Sequence, residues 1–397
     1  MSWLTSRDII ATLRLLRMIA GTVSCKTKLG VPTSGFSLVE LMIVISVVSL
    51  LLALSFPAII SAVSSVRRTQ CQSNLRQIGL ALSSYEVVHG TYPPAGVWSP
   101  GGVVLATGGP FLPGTVDLSG PKSDWKQDRF ISGFFIHLLP NLEEQQVFQS
   151  WNFDTPVSSP ENLAARSTRI AAFTCPSDRQ AVSGAPCSLA GGGWARGSYG
   201  VNAGPSLPCL VNSDLPSAMK AWTCKSIYPD LPNRLGIEVS PLHPLTVHEL
   251  WGAGIAGLNK CFSSRDIRDG LSKTVAIDEL RAGLTASDRR GTWAMPAIGA
   301  SVTFAHGQFS PGGGRPNSCY SSDRVQDCTM PSDMHTCFPC ESIAGISAKA
   351  NARSEHPGGV NVLYLDGSID FISDMIDLNT WTAMHTRDAQ DSTDRGE

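Results

Sequence analysis

Residues 35–63 read GFSLVELMIVISVVSLLLALSFPAIISAV. Within them, positions 41–63 form a run of 23 residues without a charge. At about 1.5 Å per residue such a helix spans roughly 34 Å, enough to cross a bilayer core of about 30 Å. A helix buried in a globular core would show a shorter run and a polar face, whereas here the only polar side chains are small serines. The stretch therefore predicts a transmembrane helix over about 41–63. Residues 1–35 carry Arg7, Arg14, Arg17, Lys26 and Lys28 against Asp8, a net +4. Basic flanks stay cytoplasmic, so everything after about 64 is expected outside. Glu40 sits at the lip of the apolar run, where an ionised carboxylate is costly and marks a functional position.

Beyond this helix, Leu75, Ile78, Leu82 and Tyr85 recur at helical spacing, so an amphipathic second half is expected over about 67–89, ending before Gly90 and packed on a sheet. The whole chain has 397 residues, of which 16% are charged, against about 25% in ordinary soluble proteins. Part of that deficit is the uncharged helix itself. Hydrophobic residues make up 42%, enough for a substantial core, and the net charge of −2 gives no basic bias toward nucleic acid. Removing a +4 leader from a −2 chain would leave −6, a mildly acidic protein.

The string Gly35-Phe36-Ser37-Leu38-Val39-Glu40-Leu41, with its basic leader and long apolar helix, resembles the processing site of type IV pilins and type II secretion pseudopilins. The resemblance implies cleavage after Gly35 by a prepilin peptidase, N-methylation of Phe36, and a role for Glu40 in assembly beside a neighbouring subunit's N-terminus. Pro57 falls where pilins often carry a helix-kinking proline. The 35-residue leader is long for such proteins, and a start at Met18 would shorten it to 18. Further along come Phe134-Phe135-Ile136-His137-Leu138-Leu139-Pro140, Phe173-Thr174-Cys175-Pro176-Ser177-Asp178, Ser198-Tyr199-Gly200-Val201-Asn202, and Asp269-Gly270-Leu271-Ser272-Lys273-Thr274. Last is His356, nine residues, then Asp366-Gly367. This ordered series, over about 35–375, resembles the DUF1559 family, pilin-like proteins numerous in planctomycetes and often labelled as secretion-pathway G-type proteins. Lys273 departs from the family's more usual Asn, and a Cys- and Gly-rich insert occupies about 307–342.

Residues 356–372 predict a β-hairpin in which 360–365 alternates, Asp366-Gly367 forms a two-residue type I′ turn, and Leu365 opposes Ser368. A strand of that length holds His356 and Asp366 too far apart to share a metal, leaving His356 to cap, bind a loop or hold a ligand. Asp269-Gly270 predicts a turn into a strand at 274–277, with Glu279 at the strand's end. Asp278 and Glu279, with Asp266 and Asp269, read as a solvated acidic surface, with Ca²⁺ as the candidate ligand if they converge. Cys25 lies in the leader, and the remaining ten cysteines are an even number in an oxidising compartment, so disulfides are expected. Cys319, Cys328, Cys337 and Cys340 read as two loop-stapling disulfides, with a zinc knuckle including His335 as the alternative, and spacing does not settle the pairing.

No G-x-S-x-G, H-E-x-x-H, P-loop or G-x-G-x-x-G is present, so no enzyme is expected. The nine tryptophans could offer a stacking surface but more often fill cores. The expected architecture is α+β and type IV pilin-like: a leader at 1–35, a helix at 36–90, and a large antiparallel-sheet domain at 91–397. The expected location is the inner membrane, single-pass, with that domain periplasmic. Two functions compete. One is a processed structural subunit, in a type II secretion-like system, meeting a prepilin peptidase and other pilin-like subunits. The other is an anchored binding module for glycan, peptide or Ca²⁺.

Overall fold

A computed structural model describes residues 37–98, 130–189, 191–205, 236–240, 243–304, 314–319, 323–325, 327–328, 338–342 and 349–388. Side chains at 54, 57, 58, 60, 98, 236–240, 243–251 and 258 also lie outside that description. The chain divides into two compact units, Met1–Ile60 and Ser61–Glu397.

The long helix α1 (Leu38–His89) has 52 residues. In the first unit it starts on a capping arrangement. Ser37 Oγ accepts the Val39 N–H at 3.3 Å, and Glu40 Oε2 accepts the Ser37 N–H at 2.9 Å. These bonds satisfy two donors that a helix start leaves open. Downstream, the described apolar side chains of this unit, Leu41, Ile43, Val44 and Leu50 among them, are exposed. Among the described residues no stretch is long and apolar enough to cross a membrane. The run expected to span one is uncharged throughout in sequence, but the side chains of Leu54, Pro57, Ala58 and Ile60 within it lie outside the described residues. The backbone is helical through Pro57.

In the second unit the expected stripe is the buried one. Cys71, Leu75, Ile78 and Leu82 are buried, Tyr85 is partly so, and Leu80 and Val87 face outward. Spacings of three and four keep these residues on one face. The helix ends as Gly90 turns left-handed at φ 73°, its N–H on the Glu86 carbonyl at 2.7 Å, the conformation glycine adopts most cheaply after a helix.

Twelve strands are found among the described residues. The sheet beside the helix contains β3 (Tyr199–Asn202), β7 (Val275–Glu279), β8 (Val302–Thr303), β11 (Gly359–Tyr364) and β12 (Ile369–Ser373), in the order β12-β11-β7-β3-β8. A second five-stranded sheet runs β2 (Phe130–Gly133), β1 (Gly96–Trp98), β6 (Gly257–Leu258), β5 (His243–Trp251), β4 (Gly236–Ser240). The pair β9 (Asp323–Val325) and β10 (Cys340–Ser342) is parallel. The β3–β8 and β1–β6 contacts are parallel too. The α+β class thus holds, but the expected large antiparallel sheet is replaced by mixed sheets. Short strands arriving from distant loops need no hairpin partner and can join in either sense.

Strands β3, β7 and β11 are buried at every residue, because both faces of the sheet are covered. On one face α1 comes close enough that a Cβ at Gly79 would lie 2.9 Å from Leu363 Cδ1. On the other, Val275, Val360, Val362 and Tyr364 pack against Trp381 and Met384 of the C-terminal segment.

The β11–β12 hairpin forms with a different turn. Leu363 pairs with Ile369 of β12, and the Tyr364 N–H bonds the Ser368 carbonyl at 2.9 Å. Leu365, Asp366 and Gly367 therefore make a three-residue loop, and Leu365 does not oppose Ser368. Within this loop only Gly367 has positive φ, 85°, as expected of a type I turn closed by a left-handed glycine. Asp366 Oδ1 accepts the Ser368 N–H at 2.9 Å and its hydroxyl at 2.6 Å, which stabilises this loop without a left-handed Asp.

Leu75→Ala is expected to lower the unfolding free energy by about 2–5 kcal/mol. Leu80→Ala, on the outer face, should change it by about 0.5 kcal/mol or less. Denaturant unfolding of the two purified variants compares them, and equal losses would contradict this packing of the helix.

Candidate functional site

Adjacent residues on a strand face opposite sides. Strand β7 ends in two acids, Asp278 and Glu279, and both are buried. The expected solvated acidic surface is therefore not what these two residues form. Each is met by a histidine from far along the chain, and burying a carboxylate without such a partner would be costly.

On the α1 face, His356 Nε2 lies 3.2 Å from Glu279 Oε1. Glu279 Oε2 accepts the Asn361 backbone N–H at 2.7 Å, and Oε1 accepts the Asn361 side-chain amide at 2.9 Å. Asn361 is held in turn by Gln72 of α1, at 3.1 Å. His356 Nε2 also lies 3.6 Å from the Sγ of Cys175, which is joined to Cys71 in a disulfide. One wall of this cluster is Phe371, edge-on to the imidazole, with the Arg68 guanidinium 3.4 Å above its ring centroid. The sulfurs, Nε2 and the carboxylate lie within 4.8 Å of one another, and all four residues are buried. With the disulfide closed, only the imidazole and the carboxylate are available to a metal.

The loops that deliver these groups are themselves fixed. The His356 N–H bonds Ser354 Oγ, whose hydroxyl donates to the Gly359 carbonyl at 2.7 Å. Tyr199 OH donates to the Cys71 carbonyl at 3.1 Å. The Cys175 N–H bonds Ser198 Oγ at 3.1 Å, and Ser198 donates to Asp178 Oδ2. Asp178 also caps the short helix Arg179–Ser183 and accepts the Ala282 N–H. Burial outweighs these hydrogen bonds and the attraction of the Arg281 guanidinium, and pushes the Asp178 carboxyl up to about 6.

On the opposite face, His385 Nε2 lies 3.0 Å from Asp278 Oδ1, and Thr303 donates to Oδ2 at 2.5 Å. His385 Nδ1 donates to the Trp381 carbonyl at 2.7 Å, since a carbonyl can only accept.

Of the residues singled out from sequence, His356 and Glu279 are brought together. Asp366 is not, because it is exposed at the far end of β11. Asp269 accepts the Thr386 hydroxyl and Gly270 turns at φ 98°. Asp266 caps its own short turn through Ser263. Asp278 and Glu279 thus lie on opposite faces of the sheet, and each of these four acids has its own hydrogen-bond partners. In the insert, Cys328 and Cys340 form a disulfide, which takes both out of a zinc knuckle. Cys319 is also disulfide-bonded; Cys337 and His335, like Gly35 and Phe36, lie outside the described residues. Cys71–Cys175, Asn361 and His385 were not singled out as a site. One signal was available: Asn361 interrupts an otherwise apolar buried strand, which requires a polar partner.

Compared with known proteins, residues 62–379 match a family described as "Protein of unknown function (DUF1559)". Residues 32–56 match the prokaryotic N-terminal methylation motif. No curated protein matches. No solved structure matches either.

The raised Asp178 carboxyl gives a pH-dependent prediction. Its folded value exceeds the unfolded one, so its contribution to stability is complete below about 4 and is lost as pH rises through about 6. Asp178→Asn should destabilise the protein, with the gap to wild type narrowing by about 2–3 kcal/mol between pH 4 and 7. Unfolding at both pH values measures this, and a pH-independent gap would contradict it.

Proposed function

The chain belongs to the DUF1559 family and carries a prokaryotic N-terminal methylation motif, and from that premise we propose that it is a pilin-like structural protein. In this reading a prepilin peptidase cuts after Gly35, Phe36 becomes the methylated N-terminus, and the apolar helix holds the protein in the inner membrane or in a pilin-like assembly. Residues after about 64 lie outside the cytoplasm, within a type II secretion-like system.

The observation that carries the reading is the exposed apolar surface of the first unit. Its described side chains form a helix that is hydrophobic all round. A surface of that kind needs lipid or a partner helix to cover it. The motif at 32–56 overlaps this segment and supplies the processing signal. Glu40 has a local task, bonding the Ser37 N–H, and under this proposal it also serves assembly.

The competing reading, an anchored module for glycan, peptide or Ca²⁺, finds less support. Trp151, Trp194, Trp293 and Trp381, the tryptophans with described side chains, are all buried, so none of them offers a stacking platform. A structural role also fits the absence of recognisable catalytic motifs in the sequence.

Expressed with a prepilin peptidase, wild type should lose its leader, and Gly35→Glu should keep it. Glu40→Ala should be cut as wild type is but fail to enter assemblies in crosslinking of membranes. Processing of Gly35→Glu, or normal crosslinking of Glu40→Ala, would contradict the proposal.

A further inference from the structure

A disulfide that serves only as a staple needs nothing beyond apolar packing. Cys71–Cys175 instead lies against a buried imidazole and a buried carboxylate. Glu279 is 1% exposed and His356 5%. Keeping both in the interior costs desolvation that a hydrophobic pair would not. Their spacing resembles a coordination sphere. Tetrahedral zinc, with bonds of about 2.0–2.3 Å, places N and S ligands about 3.5 Å apart and N and O ligands about 3.4 Å apart. Here Nε2 lies 3.6 Å from Cys175 Sγ and 3.2 Å from Glu279 Oε1.

We infer that Cys71, Cys175, Glu279 and His356 form a binding site for a thiophilic divalent cation of the zinc class when the disulfide is reduced, so that one buried position is cross-linked either by sulfur–sulfur bonding or by metal. This goes beyond the structural reading of the protein and does not depend on it.

The surrounding residues fit the role. Asn361 aims both carboxylate oxygens through its two N–H donors, as outer partners of metal ligands do. The ligands come from α1, the segment after the turn Ala171–Phe173, strand β7 and the loop before β11. A cation here would therefore tie together the segments the disulfide ties. The chemistry balances with a dithiol reductant. Two electrons and two protons pass from the dithiol to Cys71–Cys175, giving two thiols, and the dithiol leaves as its own disulfide. The cation then displaces the two thiol protons, and the imidazole binds through Nε2 with its hydrogen on Nδ1. The closed disulfide spans 104 residues. In the chain-entropy account a loop of that size stabilises the fold substantially, so opening it without a replacement cross-link would leave the fold markedly weaker.

The test uses the full chain, reduced with a phosphine under anaerobic conditions and titrated with Co²⁺ as the probe. One equivalent should give the visible bands of tetrahedral cobalt and a thiolate-to-cobalt charge-transfer band, and it should raise the melting temperature of the reduced chain. The oxidised chain should give neither. His356→Gln and Cys175→Ser should lose the charge-transfer band, and Asn361→Ala should weaken binding ~10–100-fold. Cys328→Ser with Cys340→Ser should keep the band, since those residues form a separate disulfide. His356→Gln retains the disulfide, so its oxidised form checks that the variant folds. The inference is overturned by a reduced wild type without the band, by a band that survives His356→Gln, or by one lost with Cys328 and Cys340 instead.

Discussion

Two adjacent carboxylates in the interior set the main constraint on this fold. Strand β7 is buried on both faces, so Asp278 and Glu279 are both removed from water and point opposite ways. An unpaired charge in such a place costs several kcal/mol, and each carboxylate can be satisfied only by groups brought from elsewhere. Glu279 draws in Asn361 of β11 and His356 of the preceding loop. Asp278 draws in Thr303 of β8 and His385 of the C-terminal segment. The register of the sheet and the layers on both its faces are thereby fixed by one dipeptide.

The Cys71–Cys175 disulfide completes that arrangement from the helix side. Cys71 lies on the buried stripe of α1, and its carbonyl receives the Tyr199 hydroxyl from β3, the strand that pairs Tyr199 with Glu279. Gln72 reaches Asn361 from the same helical turn. Helix, sheet and the His356 loop thus meet around the sulfurs. The signature His356…Asp366-Gly367 has two distinct ends: a buried imidazole before β11 and an exposed turn after it. The first holds layers together, and the second closes a hairpin.

Much of this was legible in the sequence where the pattern is local. The stripe through Leu75, Ile78 and Leu82 marks a helix face, and Gly90 its end, because both depend on neighbours three or four residues away. The hairpin at 356–372 was legible too. Its loop length was not, since Asp366 achieves its turn through a hydrogen bond to Ser368 rather than through positive φ. The acids at 278 and 279 read as solvated because their histidines lie 107 and 77 positions away, and no periodicity reports a contact at that separation. Cysteine pairing was left open for the same reason: Cys71 and Cys175 are 104 apart. The expected antiparallel sense holds for most described pairings, and the parallel contacts β1–β6, β3–β8 and β9–β10 were not legible because strands of two to four residues carry little signal of their own.

The chain carries a prokaryotic N-terminal methylation motif at 32–56 ahead of the DUF1559 match at 62–379, and in the proposed account its N-terminus is processed there. The most direct test of that account is mass spectrometry of the N-terminal peptide from protein extracted from its native membrane. The account predicts a chain that begins at a methylated Phe36. A chain retaining the residues before Gly35, with Phe36 internal and unmodified, would contradict it.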